Sequence, residues 1–111
     1  MKLTIIIPVY NEEKTIAQVL KRVSNLQIEG VQKEIIVVDD GSTDETASVI
    51  SNFQFPISNF KKIQHQTNQG KGAAVKTGIR NATGDYVIIQ DADLEYDPKD
   101  IKFLIAPIKE K

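Results

Sequence analysis

The sequence contains no cysteine and no tryptophan, and it has one histidine and nearly balanced charge. The absence of cysteine excludes disulfide bonds, zinc–thiolate sites and cysteine nucleophiles. Because His65 is the single histidine, a metal site built from several histidines is excluded within one chain. The formal net charge of −1 provides no basic surface for nucleic acid, so we expect no nucleic-acid partner.

Long apolar runs are also absent. The stretch over residues 3–9 is too short for a signal peptide or for the ~20 residues of a membrane span. Apolar residues make up 41% of the 111 residues and charged residues 26%, a balance typical of one soluble globular domain. We therefore expect a single domain over residues 1–111 in a cytoplasmic protein.

Short β-branched runs alternate with segments of helical periodicity. The runs cover residues 3–9, 34–38 and 85–89, with a weaker one near 61–66. Such continuous apolar runs are typical of strands buried on both faces in a parallel sheet. Helices are predicted from residue 16 to 26, through Ala47 and Ile50, and over 72–81. The order predicts an α/β domain with right-handed crossovers.

Capping residues predict where the helices begin. Asn11 is expected to cap the first helix. Ser42 and Glu45 match a capping box that would open the second helix. Asp97 followed by Pro98 would begin a fourth helix.

Acidic residues follow three of the predicted strands, within the segments 8–12, 38–42 and 90–95. Ligands of an open parallel sheet bind at the carboxyl ends of its strands, so these segments would share one cleft. Crowded carboxylates are costly without a cation or strong donors. Asp91, Asp93 and Glu95 alternate along an extended segment and would point the same way. Oxygen ligands suit Mg²⁺ or Mn²⁺, although a solvated acidic loop is the alternative.

Other residues of these segments suit a nucleotide. Asp39, at a strand end, could accept an N–H from uracil or guanine, and Tyr10 could stack on the base with Glu12 nearby. Lys71 precedes a predicted helix N-terminus, which suits an anion, although a solvated lysine is an equal alternative. The sequence has neither a Walker A loop nor a dinucleotide-binding fingerprint. No partner is identifiable for His65.

Four ordered motifs, at residues 8–12, 37–44, 70–74 and 84–95, resemble the family 2 glycosyltransferases of the GT-A fold. The dolichol-phosphate mannosyltransferase and polyprenyl-phosphate glycosyltransferase branch is the most similar. The resemblance implies a Rossmann-like nucleotide-diphospho-sugar transferase fold, a mostly parallel sheet flanked by helices. The 111 residues would form the N-terminal, donor-binding part of a longer catalytic domain.

The same resemblance implies roles for the matching positions. The nucleotide contacts would be Pro8, Tyr10, Glu12, Asp39, Lys71 and Asp91. The ligands of a divalent metal, Mg²⁺ or Mn²⁺, would be Asp91, Asp93 and Glu95. Asp91 and Asp93 would also be the catalytic residues, because they would hold the metal and the diphosphate.

The implied reaction transfers a sugar, with inversion, from a UDP- or GDP-sugar to a polyprenyl or dolichyl phosphate. An ionised phosphate is already nucleophilic, so a strong general base is less necessary than for a hydroxyl acceptor. The acceptor would bind to a part outside this sequence, and the longer protein would work at the cytoplasmic face of a membrane. The sheet surface left uncovered predicts self-association.

Three alternatives stay open. The acceptor could be a cell-wall or surface polysaccharide. A nucleotidyltransferase-like enzyme would use a similar sheet, but it usually needs a glycine- and arginine-rich loop where this chain has the acidic segment 10–13. A truncated, non-catalytic nucleotide-binding module would bind nucleotide without turnover.

Overall fold

The computed structural model describes residues 1–55 and 59–92, together with the backbone of 106–107. Its strands are Lys2–Val9 (β1), Gln32–Asp39 (β2), Phe60–Gln64 (β3), Tyr86–Ile89 (β4) and Ala106–Pro107 (β5). Its helices are Ile16–Asn25 (α1), Thr46–Asn52 (α2) and Lys71–Asn81 (α3). The sheet order is β3-β2-β1-β4-β5, with β1 to β4 parallel and β5 antiparallel to β4. The predicted α/β class is confirmed, whereas β5 was not predicted.

The two central strands are buried on both faces, as their continuous apolar runs predict. Ile5 pairs in register with Ile35, and both belong to the larger apolar core together with α1. The alternating residues Ile36 and Val38 face the other way and pack against Ala74 of α3. Helices therefore cover both faces of the sheet, which is the arrangement of a Rossmann-like fold.

Helix α3 approaches the sheet closely because it has a glycine at the contact. A Cβ atom placed on Gly78 would lie 2.5 Å from the Cγ2 atom of Ile6 in β1. Helix α3 connects β3, at one edge of the sheet, to β4 on the far side of β1. The strand order reverses there, and such a reversal opens a crevice at the carboxyl ends of the strands.

Two of the predicted helix caps are wrong, because the side chains of Asn11 and Ser42 hydrogen-bond to each other's loops and not to the helix that follows each of them. Helix α1 begins at Ile16, and Asn11 has a φ of 52°. The Asn11 side-chain oxygen accepts the Thr43 and Asp44 backbone N–H groups at 2.8 and 3.3 Å. Asn11 therefore joins the loop after β1 to the loop after β2 and does not cap α1.

The Ser42 and Glu45 capping box is not formed either. The Ser42 hydroxyl accepts the Asn11 backbone N–H at 2.9 Å, while the Asp44 carboxylate accepts the Thr46 N–H at 2.9 Å where α2 begins. The fourth helix predicted after residue 97 lies outside the described residues. None of the helices over the described ranges is both long and apolar enough to span a bilayer.

Candidate functional site

A cleft of about 450 Å³ opens at the carboxyl end of the sheet, where the strand order reverses. Its volume is in the range of small-molecule binding sites. The ends of β1, β2 and β4 and the start of α3 form its walls. The lining residues are Pro8, Val9, Tyr10, Glu12, Asp40, Asn68, Gly70, Lys71, Ala74, Asp91 and Ala92.

The structure brings five of the six predicted nucleotide contacts to this cleft. They are Pro8, Tyr10, Glu12, Lys71 and Asp91. Tyr10 is 43% exposed, so part of its side chain is accessible to a ligand. The Glu12 backbone N–H donates to the Thr46 hydroxyl at 2.9 Å, and this bond fixes the loop after β1 against α2. The position of this loop at the cleft is thus set by a contact with α2 outside the cleft.

Asp39, the sixth predicted contact, does not line this cleft. It is 3% exposed, and its Oδ1 atom accepts the Ser42 backbone N–H at 3.0 Å. Its Oδ2 atom is buried and has no hydrogen-bond partner among the described residues. Asp39 borders a separate, smaller cavity together with Lys62 and Gln64. Its neighbour Asp40, the residue directly after β2, lines the cleft instead.

Asp40 is 2% exposed. Four donors surround its carboxylate. Its Oδ1 atom contacts the His65 Nδ1 atom at 2.7 Å and accepts the Gln69 backbone N–H at 2.9 Å. Its Oδ2 atom accepts the Gly70 backbone N–H at 2.8 Å and the Asn68 side-chain amide at 3.1 Å. A carboxylate offers about four acceptor positions, so the protein fills all of them.

The Asp40 carboxyl is ionised at neutral pH. Burial raises its pKa, but hydrogen bonds from His65 and from the backbone N–H groups of Gln69 and Gly70 lower the pKa more, with a further contribution from the His65 charge. The pKa of Asp40 therefore lies below its ordinary value. An ionised carboxylate only accepts hydrogen bonds, so the Nδ1 atom of His65 carries a proton.

Sequence reasoning missed both His65 and Asp40 as parts of this cluster. His65 contacts Asp40, 25 positions away, and its Nε2 atom lies 2.8 Å from the Thr77 hydroxyl, 12 positions away. Partners so distant in sequence are not visible as a motif. The available signal was that His65 lies near the end of the strand predicted around residues 61–66, close to the edge where the acidic strand ends meet.

Lys71 and Asp91 form an ion pair across the cleft. The Lys71 Nζ atom lies 2.5 Å from the Asp91 Oδ1 atom, with side chains 63% and 23% exposed. Lys71 is the first residue of α3, so its ammonium group adds to the positive end of the helix dipole. The cleft therefore offers the Lys71 ammonium to an anion and the Asp91 carboxylate to a cation.

Of the three predicted metal ligands, Asp91 alone lies in the described part of the chain. Asp93 and Glu95 lie outside it. Over residues 1–55 and 59–92, no group of three or more acidic or histidine side chains is placed to hold a metal ion. The Asp91 carboxylate at the cleft supplies oxygen ligands of the kind that Mg²⁺ and Mn²⁺ prefer, so its chemistry fits such a cation.

Comparison with known proteins gives a consistent family. The model of glycosyl transferase family 2 matches residues 4–111. The chain is 35% identical over 111 residues to an undecaprenyl-phosphate 4-deoxy-4-formamido-L-arabinose transferase of Enterobacter sp. (strain 638), covering 98% of this chain and 34% of that protein. It is 38% identical over 112 residues to a dolichol-phosphate mannosyltransferase of Pyrococcus furiosus, covering 98% and 30%. The chain thus spans about a third of the length of these curated relatives.

Solved structures of similar fold hold nucleotide-sugars. S. aureus TarS 1-349 in complex with UDP-GlcNAc matches with a TM-score of 0.74 and 33% identity, over 84% of this chain and 27% of that chain. The mannosyltransferase PcManGT of Pyrobaculum calidifontis, in complex with GDP-Man and Mn²⁺, matches with a TM-score of 0.71 and 33% identity, over 82% and 27%. A divalent metal ion is thus present in a solved relative.

Proposed function

Because the chain belongs to glycosyl transferase family 2, we propose that it forms the donor-binding part of an inverting, metal-dependent glycosyltransferase that uses a UDP- or GDP-sugar. The observation that carries this proposal is the convergence of Tyr10, Lys71 and Asp91 on one cleft at the carboxyl end of the sheet. An exposed aromatic ring, a cation and a carboxylate on one cleft match the base, the diphosphate and the metal of such a donor. The relatives solved with UDP-GlcNAc and with GDP-Man support both nucleotide classes.

The chemistry of the lining residues suggests which part of the donor each one binds. The ring of Tyr10 stacks on the base, and the Lys71 ammonium and the N-terminus of α3 bind the diphosphate. Asp91, with Asp93 and Glu95 from beyond the described residues, would hold Mg²⁺ or Mn²⁺. When bound, the cation neutralises charge on the departing nucleoside diphosphate. Lys71 leaves Asp91 for the phosphate oxygens in this arrangement, so each carboxylate and each phosphate keeps a positive partner.

For the base contact, we propose Asp40 in place of the Asp39 suggested by the sequence. Asp40 borders the cleft, while Asp39 borders the other cavity. All acceptor positions of Asp40 are filled, so a base N–H must replace one donor. The backbone donors are fixed by the loop, whereas the Asn68 amide, which donates to the Asp40 carboxylate at 3.1 Å and to the Asp40 carbonyl at 3.2 Å, belongs to a rotatable side chain. The uracil or guanine N–H would take the place of this amide.

For the acceptor, we propose a polyprenyl or dolichyl phosphate, bound by residues outside this chain. This choice is supported by the names of the two curated relatives, which act on undecaprenyl-phosphate and dolichol-phosphate. A phosphate acceptor is ionised and needs no strong base near the anomeric carbon. Within the cleft, no imidazole is free to serve as one, because both ring nitrogens of His65 are hydrogen-bonded.

The proposal is tested by calorimetric titration of UDP, GDP, ADP and CDP into the chain, each with and without Mn²⁺. We expect UDP or GDP to bind, Mn²⁺ to tighten its binding, and Asp91→Asn to remove the effect of Mn²⁺. Glu29→Gln, which changes an exposed acid that does not line the cleft, is the matched control. Binding of no nucleotide by the folded protein, or a Mn²⁺ effect that Asp91→Asn leaves intact, would refute it.

A further inference from the structure

His65 occupies an unusual position between the cleft and the body of the fold. It directly follows β3, and its side chain is 10% exposed. Its backbone N–H donates to the Asp39 carbonyl at 2.8 Å. Its ring bridges the Asp40 carboxylate at the end of β2 and the Thr77 hydroxyl within α3. The ring therefore links a residue that borders the cleft to a rigid helix behind it.

The hydrogen bonds of His65 fix the orientation of its ring. Asp40 can only accept, so Nδ1 must donate to it. A threonine hydroxyl both donates and accepts, so Thr77 remains bonded to Nε2 whether or not that nitrogen carries a proton. The ring is consequently locked in either protonation state, and its proton on Nδ1 always points at the Oδ1 atom of Asp40.

The locked ring makes the two oxygens of Asp40 unequal. Oδ1 is held by His65 and by the fixed backbone N–H of Gln69. Oδ2 is held by the Gly70 backbone N–H and by the Asn68 side chain, the one donor of the four that belongs to a rotatable side chain bordering the cleft. Exchange of a protein donor for a ligand donor is thus easiest at Oδ2.

We propose that His65 is a positioning residue for donor recognition: it anchors Oδ1 of Asp40 so that Oδ2 is presented to the N–H of a uracil or guanine base. The inference rests on the proposed function, because it requires that Asp40 contact the base. It deepens that function by assigning the selection of the base to two residues: Asp40 contacts the base, and His65 acts by positioning Asp40.

Two substitutions separate this role from simple bracing of α3. His65→Asn keeps a side-chain N–H near the position of Nδ1, so it retains the donor to Asp40 and loses the bond to Thr77. His65→Gln can reach Thr77 with its terminal amide but removes the donor at the δ position. Both variants are polar and smaller than or similar in size to histidine, so both are suited to a partly buried site.

The measurement is the affinity ratio between the nucleotide that the wild type prefers and its counterpart without the ring N–H, which is N3–H in uracil and N1–H in guanine. The pair is UDP with CDP, or GDP with ADP. This ratio reports on contacts to the edge of the base, where Asp40 is proposed to bind, because stacking and diphosphate contacts are common to both members of each pair. A purely structural loosening would weaken both members equally and leave the ratio unchanged.

We expect His65→Gln to lower the ratio about tenfold, the loss of one well-placed hydrogen bond, and His65→Asn to stay within about threefold of wild type. Equal ratios in all three proteins, or a lower ratio in the Asn variant than in the Gln variant, would overturn the proposal. If the wild type binds neither UDP nor GDP, the proposed function fails first, and this inference fails with it. If the wild type binds selectively and the His65→Gln variant keeps the wild-type affinity ratio, the positioning role alone is refuted.

Discussion

Glu34 allows a quantitative prediction at the end of the sheet opposite the cleft. It pairs with Thr4 in the register of β1 and β2 and is 1% exposed. Its carboxylate accepts the Thr4 hydroxyl at 2.7 Å, the Thr83 backbone N–H at 2.8 Å and the Thr83 hydroxyl at 2.9 Å. Lys61 lies 3.4 Å away. This buried charge ties β1, β2 and the turn before β4 together.

Glu34→Ala should lower the free energy of unfolding by about 3 kcal/mol, because it strands the fixed Thr83 N–H and leaves a cavity. Glu34→Gln should cost only about 1 kcal/mol. Its amide oxygen can accept two of the three bonds, and the Thr83 hydroxyl can rotate to accept the third. Urea denaturation followed by circular dichroism measures both, since the chain has no tryptophan.

The same residue gives a pH dependence. Burial raises the pKa of Glu34, but the bonds from Thr83 and Thr4 and the charge of Lys61 lower the pKa more. The folded pKa is therefore below the unfolded value of about 4.3. The stability from Glu34 is present above that value and is lost as the pH falls through the folded pKa.

The stability gap between wild type and Glu34→Gln should therefore shrink between about pH 5 and pH 3. A gap that widens on acidification would contradict the reasoning. A Glu34→Ala variant whose free energy of unfolding at pH 7 lies within 1 kcal/mol of the wild-type value would also contradict it, since that is roughly the loss of one hydrogen bond.

Three further substitutions test the cleft. Gly41→Ala should destabilise the protein by about 2 kcal/mol or more in thermal unfolding, because Gly41 has a φ of 74° and an added Cβ would lie 2.4 Å from the Thr67 carbonyl carbon; an unchanged midpoint would mean that this loop is not held as described. Lys71→Met should change stability by less than about 1 kcal/mol, since its ion pair with Asp91 is exposed, yet weaken diphosphate binding about tenfold in calorimetry; equal affinity would remove Lys71 from the site. Asp93→Asn should abolish Mn²⁺-dependent donor binding, because an amide is a weaker ligand of such a cation than the carboxylate of a proposed metal ligand; metal-dependent binding at wild-type strength would exclude Asp93 from the metal site.

Much of the fold followed from the sequence because the signals were local. Runs such as residues 3–9 are apolar at every position, and strands buried on both faces require that pattern. The third helix was predicted from residue 72 and begins at Lys71. The meeting of the strand ends at one edge follows from parallel strands alone. These features need no knowledge of distant contacts.

The sequence was least informative for residues whose roles depend on contacts that are distant in the chain. Asn11 and Ser42 have the composition of helix caps, but they bond to each other's loops across 31 positions. Asp39 and Asp40 are adjacent and chemically identical, so the sequence does not display which of them borders the cleft. His65 joins the cluster through partners on β2 and α3. Side-chain pairing across crossovers is therefore the information that this sequence does not display.

The central claim, that a nucleoside diphosphate and its metal bind in this cleft, is tested most directly by nuclear magnetic resonance with paramagnetic Mn²⁺. Mn²⁺ with UDP or GDP should broaden the backbone amide signals of Tyr10, Gly70 and Ala92, which line the cleft. The amides of Glu34 and Thr83, at the opposite end of the sheet, should stay sharp. Broadening confined to that opposite end, or spread evenly over the chain with either nucleotide, would contradict the account.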